Sequence, residues 1–209
     1  MLKKMLAFFG AFNPPTNAHI ELAEFAMKET GSEEVIFIPS QSEYILDDQK
    51  KNYAFEDGER IYMLDSLTHK RPWLAVCNHD IAADTQPRSY ETLCWLRDKY
   101  HIQPKLLIGE DQFRQMETNW KYVPEIAKEF GIVVITRPYS FANSCDRNSP
   151  FYQSIAQYVT EIRAPSVYKG MSSTDVRWHI QQAKLHFNSI KNTVPPEVLQ
   201  YIKEAIYEA

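Results

Sequence analysis

The chain predicts an α/β protein of Rossmann-like type, a parallel sheet with helices on both faces and a small C-terminal helical extension. Three observations carry this expectation. Short apolar runs alternate with stretches of helical period along the 209 residues, the βαβα order that folds as a parallel sheet. The first run meets a glycine, bends through two prolines and leads directly into a helical pattern, "FFGAFNPPTNAHIELAE" at residues 8–24. With 44% hydrophobic residues the chain can bury a sizeable core. One domain over 1–209 is expected, its last part, from about 166, forming the helical extension.

The elements follow in order. A strand is expected over Met5–Phe9, then a helix over about 17–29 with Ile20, Ala23 and Met27 on one side and Glu24 and Lys28 outward. Read alternatively as a signal peptide, Lys3, Lys4 and Met5 to Phe12 make a short apolar region that no A-x-A-like cleavage site follows. Further strands are expected at Glu34–Ile38, Trp73–Cys77, Lys105–Ile108 and Ile132–Thr136, with helices over 56–69, 89–100 and 119–130 between them. Residues 39–55 are long for a strand–helix loop, which suggests a mobile, ligand-covering segment. Residues 138–165 carry Pro, Asn and Ser with no clear period and read as an insertion of irregular form. A last helix starts at Pro195-Pro196, with Val198, Ile202, Ala205 and Ile206 facing inward.

Composition excludes several classes. A net charge of −4 argues against a general nucleic-acid binder. No apolar stretch approaches the ~18 residues of a membrane span. Cys77, Cys94 and Cys145 show no paired spacing, which fits a reducing cytoplasm and supports no zinc site. Right-handed crossovers gather the loops after the strands on one edge, where ligands bind.

Two clusters carry chemistry. Gly10 ends the first strand, where positive φ or close approach of a ligand to the backbone is permitted. The helix that follows offers free N–H groups and a positive dipole end, with His19 in its first turn as a charged or neutral donor to phosphate oxygens. A tight turn with a solvated histidine accounts for the same residues. The second cluster is "MSSTDVR" at 171–177. Ser172 as N-cap with Asp175 three residues on forms a capping box. Three consecutive hydroxyls (Ser172, Ser173, Thr174) and Arg177 exceed what capping requires, and together make a phosphate cradle with a planar cationic fork.

At this point the chain resembles a known family, the nucleotidyltransferases that make NAD precursors, and among them the bacterial nicotinate mononucleotide adenylyltransferases. "GAFNPPTNAH" resembles their GGxFxPxHxGH loop and "MSSTDVR" their ISSTxIR motif. "LLIGEDQF" (106–113), "NWKYVPEI" (119–126), "ITRP" (135–138) and the closing "VPPEVLQYIKEAIY" match in order and character. The resemblance implies a Rossmann-like fold that transfers AMP from ATP to nicotinate mononucleotide, giving deamido-NAD and pyrophosphate with Mg2+ bound mainly through the ATP phosphates. It assigns His19, Thr16 and Arg177 to catalysis around the phosphates, and Gly10, Ala11, Phe12, Gly109, Asp111, Ser172, Ser173 and Thr174 to ATP. It assigns Trp120 to the pyridine ring, Lys50 or Lys51 to the mononucleotide phosphate, and backbone amides near Ser89 and Tyr90 to the nicotinate carboxylate. Nucleic acid and membrane are not implied as partners, and a homo-oligomer stays open.

The chemistry of such a transfer agrees with these residue types. The attacking phosphate monoester is already anionic and the leaving pyrophosphate is bound to magnesium, so alignment and charge neutralisation are what a site must supply. Two departures stand out: Thr16 where the family usually has histidine, and Ala18, whose extra methyl lies where the nucleotide approaches, in place of glycine. "SYETLCWL" also departs from the family's S-Y-T-x-D-T-L, which leaves the choice between acid and amide mononucleotide open. Phosphopantetheine, whose adenylyltransferases also carry threonine at the position of Thr16, is a further alternative substrate, and a non-catalytic nucleotide sensor is the alternative class. Trp73, Trp95 and Trp178 read as packing residues.

Overall fold

The computed structural model describes residues 3–51, 53–136, 147–165, 172–181 and 187–207, with the side chains of 206 and 207 excepted. Six strands form one sheet: β1 (Lys4–Gly10), β2 (Glu34–Pro39), β3 (Leu74–Val76), β4 (Gln103–Gly109), β5 (Ile132–Thr136) and β6 (Val159–Arg163), in the order β3-β2-β1-β4-β5-β6. The pairings β1–β4, β4–β5 and β5–β6 are parallel. This is the Rossmann order, whose direction of growth reverses between β1 and β4; ligands of such sheets bind outside the carboxyl ends of strands at that reversal. Among the described residues no helix is long and apolar enough to cross a membrane.

Contacts group the chain into two compact units. One comprises Met1–Phe9, Glu24–Ile36 and Pro87–Tyr168. Its strands β1, β4 and β5 are buried on both faces, with Leu6, Leu106, Leu107, Ile108, Ile132 and Val133 fully covered, as central parallel strands require. Helices α4 (Ser89–Tyr100), α5 (Glu110–Asn119), α6 (Val123–Glu129) and α7 (Pro150–Ile155) belong to it, and Ala156–Tyr158 form a 3-10 turn. The expected helix over 119–130 is thus shorter, and α5 comes before it. The segment expected to be irregular, 138–165, supplies α7 and the sixth strand where it is described. Strand β6 has mostly exposed positions, Thr160, Glu161 and Arg163 among them. An edge strand blunted by polar and charged side chains leaves no apolar run to read.

The other unit comprises Gly10–Ala23, Phe37–Gln86 and Lys169–Ala209. It holds α2 (Ser42–Asp47), α3 (Asp57–Thr68), α8 (Ser173–Gln181), α9 (Phe187–Ile190) and α10 (Pro196–Tyr207). Met63, Leu64, Leu67, Val176, Val198 and Ile202 form its buried side. Tyr201 of α10 stacks near Tyr62 (ring centroids 5.2 Å apart) and donates to Glu59 at 2.9 Å, joining α10 to α3. Helix α1 (Asn17–Thr30) runs from this unit's first stretch into the other. The long segment 39–55 is not bare loop: it contains α2, whose preceding residue Gln41 donates to the carbonyls of Asp80 (3.1 Å) and Ala83 (2.6 Å). Trp178, expected in packing, is 57% exposed. Ile206 and the "RP" of "ITRP" lie outside what is described of the chain.

Candidate functional site

The opening loop builds a histidine of one defined form. Thr16 precedes α1 and His19 is its third residue, the spacing of a capping box. The Thr16 hydroxyl accepts from the His19 backbone N–H (3.4 Å), and the His19 ring answers by accepting the Thr16 backbone N–H at Nδ1 (3.1 Å). Thr16 Oγ1 lies 3.0 Å from the same nitrogen. A backbone N–H can only donate, so Nδ1 is unprotonated and the neutral ring carries its hydrogen on Nε2. Desolvation, aided by the Lys51 charge, lowers the His19 pKa to about 4. Of the two forms expected, charged or neutral, the structure holds the neutral one. Thr16, 1% exposed, faces the imidazole and orients it.

Phe12 supports the same ring from the other side. It has φ +43°, is 1% exposed, and packs against His19 (centroids 5.3 Å apart, interplanar 78°) and Phe37 (5.1 Å). Gly10 serves this packing: a Cβ there would meet the Phe12 ring at 3.1 Å. It does not adopt the positive φ that the sequence left open. Ala18 is buried, as are Phe12 and Thr16 beside it.

The second cluster is also tied in tightly. Ser172 Oγ accepts from the Asp175 N–H (3.1 Å) and donates to the Asp175 carboxylate (2.7 Å), the expected cap of α8. Ser173 donates to the Pro14 carbonyl at 2.8 Å. Arg177, 9% exposed, donates through Nη1 to the Asn13 carbonyl (2.8 Å) and through Nη2 to Thr174 Oγ1 (3.0 Å). Burial lowers its pKa from the ordinary arginine value. Ser173 and Arg177 are therefore fastened to Pro14 and Asn13 across about 160 residues of sequence.

The long segment contributes a second cation. Lys50 is exposed. Lys51 is partly buried and its pKa falls to about 8, first by desolvation and then by the charges of Arg177 and Arg60. The geometry singles out Lys51 of the pair.

Two residues of the site had no assignment from the sequence, Asn13 and Arg60. Arg60 is fully buried; it donates to the carbonyls of Ala11 (2.8 Å) and Phe55 (3.1 Å), to Ser42 Oγ (3.1 Å) and to the Asp57 carboxylate (2.5 Å). Asn13 is also fully buried, accepting the Phe55 N–H at Oδ1 (2.9 Å) and donating from Nδ2 to the Tyr53 carbonyl (2.8 Å). Arg60 had a signal: it shares the buried stripe of α3 with Met63, Leu64 and Leu67, and a charge at that spacing demands partners. An Asn-Pro pair reads only as a bend.

The remaining predicted residues belong to the other unit. Gly109 ends β4 with an ordinary φ of −79°, and a Cβ built on it meets nothing within 4 Å. Neither backbone nor packing among the described residues explains a glycine there. Asp111, in the first turn of α5, is exposed, and Trp120, just past its end, is partly buried. Ser89 and Tyr90 open α4, leaving first-turn N–H groups that the helix itself does not use. The Tyr90 hydroxyl donates to Glu129 at 2.8 Å, and Arg97 donates to the other oxygen of that carboxylate at 2.9 Å. The carboxylate raises the tyrosine pKa, and both donors lower that of Glu129. The Tyr90 ring lies 5.4 Å from that of Tyr122, which has φ +62°. Tyr90 thus touches Tyr122, two residues past Trp120.

Comparison with known proteins agrees with the fold. The family model described as cytidylyltransferase-like matches residues 7–178. Among solved structures, Plasmodium falciparum nicotinic acid mononucleotide adenylyltransferase complexed with NaAD superposes with a TM-score of 0.72 at 17% identity, covering 99% of this chain and 98% of that one. The same protein complexed with APC gives 0.73 at 16% identity over the same shares. A Vibrio parahaemolyticus protein taken to be a nicotinate-nucleotide adenylyltransferase gives 0.59 at 19%, covering 97% and 99%. These likenesses extend over the whole fold.

Proposed function

The chain belongs to the cytidylyltransferase-like family, and from that premise we propose that it transfers AMP from MgATP to nicotinate mononucleotide, releasing pyrophosphate and forming deamido-NAD. The observation that carries the reading is the convergence of His19 at the start of α1 with the cations Lys51 and Arg177. One neutral donor, two cations and a helix N-terminus suit an array of phosphate oxygens. A neighbour of the same fold binds NaAD, the dinucleotide that this transfer would form.

In the proposed reaction an oxygen of the mononucleotide phosphate attacks the α-phosphorus of ATP. The bond from that phosphorus to the bridging oxygen breaks, and pyrophosphate leaves with its magnesium. No proton has to move, because the nucleophile is already an anion. His19 donates through Nε2–H to an oxygen whose charge grows during transfer, which lowers the barrier without any change of protonation. Arg177, with five donors in a planar fork, has capacity for phosphate beyond its bonds to Asn13 and Thr174. Lys51 meets the mononucleotide phosphate. The hydroxyls of Ser173 and Thr174 act by holding α8 and Arg177. Magnesium arrives as part of the substrate, since the charged groups around His19 are cations suited to phosphate and not to a divalent ion.

The open space over Gly109 suits close approach of a ribose, with Asp111 accepting from its hydroxyls. Trp120 supplies a face for the pyridine ring, and the N–H groups opening α4 supply donors for the carboxylate. Turnover with MgATP and nicotinate mononucleotide, nicotinamide mononucleotide or phosphopantetheine in parallel, read as pyrophosphate, tests the reading. Release with phosphopantetheine alone would reassign the substrate, and release with none would favour a nucleotide sensor.

A further inference from the structure

We propose that Asn13 is a positioning residue that sets the spacing of the two phosphate-facing cations, its side-chain amide clamping the backbone just beyond Lys51 while its own carbonyl holds the Arg177 guanidinium. The inference rests on the reading of Lys51 and Arg177 as phosphate ligands and adds to it the residue that places both.

The geometry is specific. Asn13 is fully buried, and its amide spends both ends on one short stretch: Oδ1 on the Phe55 N–H (2.9 Å) and Nδ2 on the Tyr53 carbonyl (2.8 Å). Its carbonyl receives Arg177 Nη1 at 2.8 Å. Arg60 takes the Phe55 carbonyl at 3.1 Å, so the peptide groups on either side of Phe55 are both pinned. Only an amide presents a donor and an acceptor side by side at this reach.

Such a clamp has work to do because the groups it gathers repel. Lys51 faces Arg177 and Arg60, the latter partnered by Asp57, together with a neutral His19. In the absence of an anion, like charges favour release of Lys51 into water. The clamp opposes that release, so an incoming phosphate finds the cations already spaced. Without it, Lys51 gains solvent and distance from Arg177, and its pKa climbs back toward the ordinary lysine value.

The test is trace acylation of the Lys51 amine across pH in substrate-free protein, read by peptide mass spectrometry, with a thermal melt to establish folding. In Asn13→Ala the labelling midpoint should move from about 8 toward about 10.4. The KM for the mononucleotide should rise by about tenfold or more, as expected for two lost hydrogen bonds, with kcat changing less. A folded Asn13→Ala protein whose midpoint stays where it was overturns the proposal. Should that variant not fold, the unmutated protein decides: tripolyphosphate, which engages both cations, should slow hydrogen exchange at the Phe55 amide, and an unchanged rate overturns the clamp. Neither the labelling nor the exchange measurement needs turnover. Unmutated protein that releases no pyrophosphate with any mononucleotide defeats the functional reading and leaves the labelling to decide Asn13.

Discussion

His19 and Lys51 show how single side chains are tuned by what surrounds them. His19 accepts at Nδ1 and is held neutral down to a pH of about 4, so its donor Nε2–H is present throughout the physiological range. His19→Ala should lower kcat by about 10²–10³ while changing mononucleotide affinity little, the pattern of a donor used in the transition state. A kcat near that of the unmutated protein would return His19 to a turn-forming role. Lys51 titrates at about 8, so kcat/KM for anionic substrates should fall as pH rises through that value and hold up to higher pH in Lys51→Arg. Stability runs the other way. Between about 8 and the ordinary 10.5 the folded protein has lost a proton that the unfolded chain still binds, so stability rises across that window. Melts of Lys51→Met should show no such rise, and the variant should be the more stable protein at pH 7. His19 and Arg177 were legible because each stands in a run of residues with a matching chemical purpose. Asn13 was not, because its side-chain amide pairs with backbone groups some 40 positions away, and backbone groups leave no mark in a sequence.

At the scale of elements, the caps join local stability to the site. Ser172 both accepts and donates within the first turn of α8. Ser172→Ala should cost about 0.5–2 kcal/mol of stability, measured by denaturant unfolding. Unchanged ATP affinity in that variant would make the hydroxyl a cap and nothing more. Tyr90 and Glu129 join α4 to α6. Tyr90→Phe should weaken mononucleotide binding through loss of this brace, yet leave the ratio of acid to amide substrate unchanged, because the proposed site makes that distinction with backbone N–H groups. Strands β1, β2, β4 and β5 were legible from apolar runs, since a strand buried on both faces has few polar positions. Strand β6 was hidden by Thr160, Glu161 and Arg163, which face solvent at the sheet's edge. Helix α5 was hidden by composition: in "EDQFRQMETN" only Phe113 and Met116 interrupt the polar and charged residues. Both are buried, three apart, too sparse a stripe to announce a helix.

The whole molecule carries a net charge of −4, yet gathers Lys51, Arg60 and Arg177 in one neighbourhood. Local charge, not the total, governs an anionic substrate, and KM for both substrates should rise with ionic strength as those cations are screened. The strand order reverses beside β1, the kind of place where such sheets bind ligands, and this supports the proposed site at the loop after β1. The choice of mononucleotide rests on finer features, above all Trp120 and the start of α4, where "SYETL" departs from the resembled pattern. The most direct measurement is pyrophosphate release by the unmutated, folded protein with MgATP and either pyridine mononucleotide. Release with nicotinate mononucleotide, at a kcat/KM above that for the amide and dependent on Mg2+, is the predicted result. No release with either, in protein that melts cooperatively, would contradict the account.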